Sequence, residues 1–302
     1  MRNKEIQRVH NYAMDIMESE MAAKDIRYVD PRPLPKPMYG HSYNPNLKNA
    51  GGYEVDFKED SFSNAEMKMR SDELFDFNSP AAIEFRRMVK DFYDSRKRME
   101  DLNLLHKKGI LVMGPPGSGK STLIQQEIER LKAEGHVAFM SQSPYRLRES
   151  IRSFREKEPN REIMVVIEDI DEVVRYSGEH EILEMMSGIN APDHVLFVAT
   201  ANNPERLSAK LRRPGRLGYN ITVPNPNADM RQRYLIMKSE ARLSLPQVQK
   251  IVELSEGMSF GHLREIVVSV LGDGHSVEKA IEYVKEDHSP KESDAPWMQR
   301  GW

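Results

Sequence analysis

The chain has 302 residues, with 44 basic against 47 acidic side chains and a formal net charge of −3. That length suits about two domains, and that charge sets up no strong global field toward nucleic acid or an anionic membrane. With no cysteine there is no disulfide framework and no thiolate chemistry.

No apolar run reaches the roughly 18 residues of a membrane span. The start, Met1-Arg2-Asn3-Lys4-Glu5, is charged where a signal peptide would be apolar. The expectation is a soluble, cytoplasmic chain without a membrane anchor.

Residues 1–24 carry Ile6, Val9, Ala13, Ile16, Met17 and Met21 at a helical period among charged residues. They predict a helix, packed on its own domain or on a partner. Asp30-Pro31-Arg32-Pro33-Leu34-Pro35-Lys36-Pro37 breaks it with alternate prolines, an extended linker. Residues 38–60, rich in Tyr, Asn and Gly, read as irregular or short-strand. The first region, 1–77, is therefore helix, linker and irregular segment.

Asn78-Ser79-Pro80 is a helix start. Ile83, Phe85, Met88, Val89, Phe92 and Tyr93 make residues 81–100 amphipathic. A buried strand follows at Ile110, Leu111, Val112 and Met113.

Next comes Gly114-Pro115-Pro116-Gly117-Ser118-Gly119-Lys120-Ser121, which fits the P-loop pattern at every fixed position. Leu123, Ile124, Ile128 and Leu131 then mark a helix beginning near Thr122. Strand, glycine loop and helix are the context in which backbone N–H groups and a helix N-terminus wrap phosphates. Lys120 would reach the outer phosphates of ATP, and the Ser121 hydroxyl would ligate Mg²⁺.

Residues 136–141 read as a second strand. A helix opens at Ser143-Pro144, with Leu147, Ile151 and Phe154 on one face. Its arginines 146, 148, 152 and 155 make either a solvated face or a surface for a neighbouring subunit or an acidic partner. The apolar run 163–167 ends in Glu168-Asp169, acids where a strand's carboxyl end delivers them to a metal and to water. Asp171 is a spare acid for the same task.

Residues 181–189 predict a helix, 195–200 a fourth strand, and Asn202 a neutral side chain suited to holding a water or the γ-phosphate. A short helix is expected from Leu207. Arg212-Arg213-Pro214-Gly215-Arg216 follows, then a fifth strand at Ile221-Thr222-Val223. Strands alternating with helices give a doubly wound α/β core over 78–226. Three or four helices, near 228–241, 246–256, 260–271 and 276–286, give a small all-α lid over 227–286. The polar stretch 287–302 reads as a disordered tail on which Trp297 and Trp302 could dock a partner.

From about residue 80 to 285 the sequence resembles the AAA+ ATPases, and within them the AAA group. The resemblance implies a P-loop NTPase parallel sheet with an all-α lid. It makes Gly114 to Ser121, with Thr122, the ATP-binding Walker A segment. Residues 163–169 correspond to Walker B, with Glu168 supporting Mg²⁺ alongside Ser121 and Asp169 polarising water. Asn202 falls at sensor 1. Arg213 and Arg216 fall on the arginines that complete a neighbour's site.

It further implies a ring homo-oligomer, a hexamer, hydrolysing ATP to remodel or chaperone a protein client. The alternatives are a nucleic-acid-associated loader and a slow nucleotide-dependent switch or scaffold. The chain departs from the family in three places. Glu168-Asp169 reverses the usual Asp-Glu, an order familiar from one branch. No aromatic-glycine pore loop follows the second strand, where Tyr145 is a poor substitute. Gly261-His262-Leu263 replaces Gly-Ala-Asp in the lid segment that the resemblance sets beside the nucleoside.

Overall fold

A computed structural model describes residues 51–58, 61–66, 77–187 and 191–286. The expected helix over 1–24, the proline segment 30–37, the tail 287–302 and its two tryptophans lie outside the described residues. The chain divides into two compact units between Asn225 and Pro226.

The first unit is built on one sheet of seven strands: β1 (Gly51–Lys58), β2 (Ser61–Glu66), β3 (Lys107–Met113), β4 (Val137–Met140), β5 (Ile163–Ile167), β6 (Val195–Ala201) and β7 (Tyr219–Thr222). Their spatial order is β2-β1-β4-β5-β6-β3-β7. All neighbours run parallel except β2, which pairs antiparallel with β1 at the edge.

The sheet reaches further toward the N-terminus than the expected core at 78–226. The physical reason is visible in residues 53–58, where Tyr53, Val55 and Phe57 alternate with Glu54, Asp56 and Lys58, a period-two strand pattern; residues 51–54 pair along β4 and 53–58 along β2.

Every residue of β5 and β6 is buried, as expected of strands covered on both faces. Successive residues serve opposite faces. Leu111 joins Phe139, Leu147, Ile151, Phe154, Val165 and Phe197 on one side. Ile110 and Val112 join Phe85, Val89, Ile124, Ile128, Val166 and Val198 on the other.

The helices that supply these layers are α1 (Pro80–Asp94), α2 (Arg96–Asp101), α3 (Lys120–Ala133), α4 (Pro144–Lys157), α5 (Ile170–Ser177) and α6 (His180–Ser187). α1 begins as its sequence says: the Ser79 hydroxyl accepts the Ala82 N–H at 3.1 Å, and Pro80 occupies the first turn. Ile83, counted among its apolar face, is 56% exposed.

The arginines of α4 divide. Arg148 pairs with Glu184 at 3.0 Å. Arg155 donates to four backbone carbonyls, those of Glu158, Arg161, Asp193 and His194, at 2.7–3.2 Å. Burial lowers its pKa to about 10. That guanidinium is a bracket inside the fold rather than part of a surface patch.

The helix expected from Leu207 is absent. A single 3₁₀ turn, Pro204–Arg206, stands in its place. Leu207, Leu211 and Leu217 are buried anchors of a turning segment. Pro214 and Gly215, the latter at φ 83°, prevent a helix from propagating there.

The second unit holds four helices: α7 (Ala228–Lys238), α8 (Leu245–Leu254), α9 (Phe260–Leu271) and α10 (Val277–Lys285). Val248, Ile251, Leu263, Ile266, Ala280 and Ile281 are among its buried residues. α9 opens with a capping box. The Ser259 hydroxyl accepts the His262 N–H at 3.3 Å, and His262 Nδ1 accepts the Ser259 N–H at 3.2 Å. His262, one of the residues that departs from the family pattern, therefore has a local job in starting its own helix.

Candidate active site

Strand register assembles the site. Met113 at the end of β3 pairs with Ala201 at the end of β6, and Ile167 at the end of β5 pairs with Ala199. The loop starting at Gly114, the pair Glu168-Asp169 and Asn202 therefore leave the sheet at nearly one level. This is the carboxyl edge, where ligands bind in open parallel sheets.

The loop is shaped by its glycines at two points. A Cβ on Gly114 would lie 2.1 Å from the Val223 carbonyl oxygen, so only glycine lets the loop pass the chain leaving β7. Gly119 at φ 101° turns the backbone into α3. Ser118 closes a turn by donating its N–H to the Pro115 carbonyl at 3.3 Å. Pro115, Pro116 and Gly117 are exposed, Ser118 and Lys120 are buried, and Ser121 and Thr122 stand in the first turn of α3.

Lys120 is the hub. Its ammonium donates to the carbonyls of Gly114 at 2.9 Å and Pro115 at 3.0 Å, and to Asn202 Oδ1 at 2.6 Å. Burial lowers its pKa, opposed by the nearby carboxylates of Asp169, Asp171 and Glu168. The Asn202 amide then donates to Asp169 Oδ1 at 3.0 Å.

Asp169 sits at φ 48° and ψ 49°, a left-handed conformation at the N-cap of α5. The Thr200 hydroxyl accepts its N–H at 2.8 Å. Lysine, amide and carboxylate thus form one chain of contacts across β3, β6 and β5. Glu168 Oε1 and Ser118 Oγ are buried without a hydrogen-bond partner among the described residues. Such orphaned oxygens at this edge suit a cation and an additional donor.

Arg213 and Arg216 are not brought to this edge. A Cβ on Gly109, near the start of β3, would lie 1.9 Å from the Arg216 carbonyl oxygen. Gly109 and Gly114 are five residues apart on an extended strand, about 16 Å. Arg216 is fixed there by bonds to Ser187 Oγ at 2.6 Å and the Lys210 carbonyl at 2.7 Å. Arg213 is exposed. Both line a cavity of about 370 Å³ with Leu105, Lys107 and Ser187. Burial lowers the pKa of Lys107, and Arg216 beside it adds to the effect.

Gly109→Ala should force this segment off β3. We expect a loss of about 2–3 kcal/mol, a melting temperature lower by about 5–10 °C, and retained ATP binding, read by thermal denaturation with and without nucleotide.

Two contributors hold contacts that the sequence does not announce. Thr200 reads there only as the last residue of an apolar strand. Asp171 reads as a spare acid, yet it is 1% exposed with both oxygens engaged by backbone. No spacing rule announces either, because their partners stand 31–32 residues away.

Residues 110–225 match the model of the ATPase family associated with various cellular activities, AAA. These residues form an AAA ATPase domain. Among similar proteins are three named ATP-dependent zinc metalloprotease FtsH. That of Conexibacter woesei, FtsH 1, is 28% identical over 176 residues, 51% of this chain and 26% of that protein. That of Synechococcus sp. is 29% identical over 206 residues, 60% of this chain and 31% of that protein. That of Marinobacter nauticus is 28% identical over 172 residues, 49% of this chain and 26% of that protein.

The chain thus spans about a quarter to a third of the length of the curated relatives it matches. Among the described residues no helix of this chain is long and apolar enough to cross a membrane. The AAA match covers the P-loop, Walker B, Asn202 and both arginines, all within the first compact unit.

Proposed function

We propose that this chain hydrolyses Mg²⁺-ATP at sites shared between adjacent copies in a ring, and uses the cycle to remodel a protein assembly. One observation carries the reading. Lys120, Asn202 and Asp169 converge at one edge of the sheet, while Arg213 and Arg216 stand near the opposite edge of the same strand. A chain arranged this way holds both halves of a phosphoryl-transfer site but cannot close them on each other.

Loop amides and Lys120 bind the β- and γ-phosphates, with Lys120 exchanging its carbonyl partners for phosphate oxygens. Ser121 and Glu168 would hold Mg²⁺, which neutralises developing charge on the phosphates when bound. The buried, unpartnered Glu168 oxygen fits that duty. Asn202, held between Lys120 and Asp169, orients the attacking water, and the Asp169 carboxylate polarises it. Arg213 and Arg216 of one copy complete the site of the next, as an arginine finger supplied in trans does.

A protein client is favoured over nucleic acid because the basic helix α4 spends Arg155 on backbone carbonyls and Arg148 on Glu184. The near-neutral net charge points the same way. The ring, its size and the client rest on the family likeness.

The test is ATP hydrolysis per subunit against protein concentration, with Mg²⁺. Specific activity should rise with concentration and then level off as copies assemble. Activity that stays flat down to concentrations where light scattering shows only monomer would refute the shared site.

A further inference from the structure

We infer that Asp171 is a positioning residue: its buried carboxylate grips the backbone at Asn202 and Asn203 and so aims the Asn202 side chain. The inference rests on the hydrolytic reading above and assigns a residue to it.

The sequence offers Asp171 as a second candidate to activate water, two positions after Asp169. Its surroundings give it a different duty. Oδ2 accepts the Asn203 N–H at 2.8 Å, and Oδ1 accepts the Asn202 N–H at 3.4 Å. The residue is 1% exposed. A carboxylate buried this way spends both oxygens on backbone N–H groups.

Its position explains why the site needs it. β6 ends at Ala201, the last residue paired with β3. The next two N–H groups leave the ladder and require acceptors. Asp171, in the first turn of α5, supplies both, and the helix N-terminus there favours its negative charge. With its backbone fixed, Asn202 projects between Lys120 at 2.6 Å and Asp169 at 3.0 Å.

A second bond runs the other way. Thr200, in β6, accepts the N–H of Asp169 at 2.8 Å. The β5–α5 turn and the end of β6 are thus cross-braced, each holding the backbone of the other's polar residue.

The test uses Asp171→Asn, which keeps shape but sets an NH₂ group against one of the two N–H donors. Turnover number should fall about 10- to 100-fold, with KM and ATP affinity within about two-fold of wild type. Asn202→Ala should cost at least as much, and the double variant should be no slower than Asn202→Ala alone, because residues acting as a unit are not additive. In spectra of ¹⁵N-asparagine-labelled protein, the backbone amides of Asn202 and Asn203 and the Asn202 side-chain amide should all shift in Asp171→Asn.

Losses that multiply in the double variant, or a melting temperature and ATP affinity that fall together, would reduce Asp171 to a structural residue and overturn the inference. Unshifted Asn202 and Asn203 signals would overturn it too, whatever the turnover. The spectra also separate its failure from failure of the functional reading. If the wild-type chain binds ATP but never hydrolyses it, that reading falls, and the amide shifts still decide whether Asp171 holds Asn202.

Discussion

In Lys120→Ala, ATP should no longer raise the melting temperature, and hydrolysis should fall to background, a loss of at least about 10³-fold. The nucleotide-free protein should melt close to wild type. Two effects on its stability oppose each other. Removing the side chain leaves the Gly114 and Pro115 carbonyls and Asn202 Oδ1 without their donor, which costs stability.

Against that, burial holds the lysine pKa below its ordinary value. The charged form is then less favoured in the folded chain than in the unfolded one. That contribution subtracts stability, is fully present below the folded pKa, fades as pH rises from the folded toward the unfolded pKa, and is gone above the unfolded one. Alanine removes it. The measurement is thermal denaturation of both proteins with and without Mg²⁺-ATP. A variant that keeps a wild-type ATP shift would move the phosphate site away from this loop. A variant that unfolds at room temperature would give Lys120 a structural duty that its three contacts do not suggest.

How much of this could be read from the sequence depends on how local the physics is. The P-loop is legible because its chemistry demands glycines and a lysine at fixed spacing in one stretch. The buried strands β5 and β6 are legible because strands covered on both faces become continuous apolar runs. β1 is harder. Its alternation at Tyr53, Val55 and Phe57 carries the signal, but Gly51 and Gly52 before it read as loop.

The short helix Ile170–Ser177 escapes because its start is a left-handed Asp169, a conformation that composition does not announce. The supposed helix at Leu207 fails for the converse reason. Leu207 and Leu211 keep a helical spacing, but each is pinned into the core by a turn. What is least legible is the cross-brace of Thr200 and Asp171. Its partners meet only because β5 and β6 are neighbours in register, which is a property of the sheet rather than of either segment.

Arg213→Ala should bind ATP within about two-fold of wild type and lose turnover by about 10³-fold or more. The expectation follows from where the residue stands. Arg213 is exposed near the β3 edge remote from the P-loop, so its loss leaves the phosphate contacts of its own chain untouched. The decisive experiment mixes two inactive proteins. Arg213→Ala keeps an intact phosphate site and lacks the arginine. Lys120→Ala keeps the arginine and lacks the phosphate site. In a ring with a head-to-tail interface, a site works when the first supplies the loop and the second supplies the arginine. With random assembly that is about a quarter of the sites. Equal mixing should therefore restore hydrolysis from two preparations that have none, and restoration should fail when the two are kept too dilute to assemble. If mixing restores nothing under conditions where light scattering shows mixed assemblies, the arginines do not act across copies. If Arg213→Ala hydrolyses ATP at the wild-type rate on its own, each chain completes its own site. The cavity beside Lys107 and Arg216 would then need a different explanation.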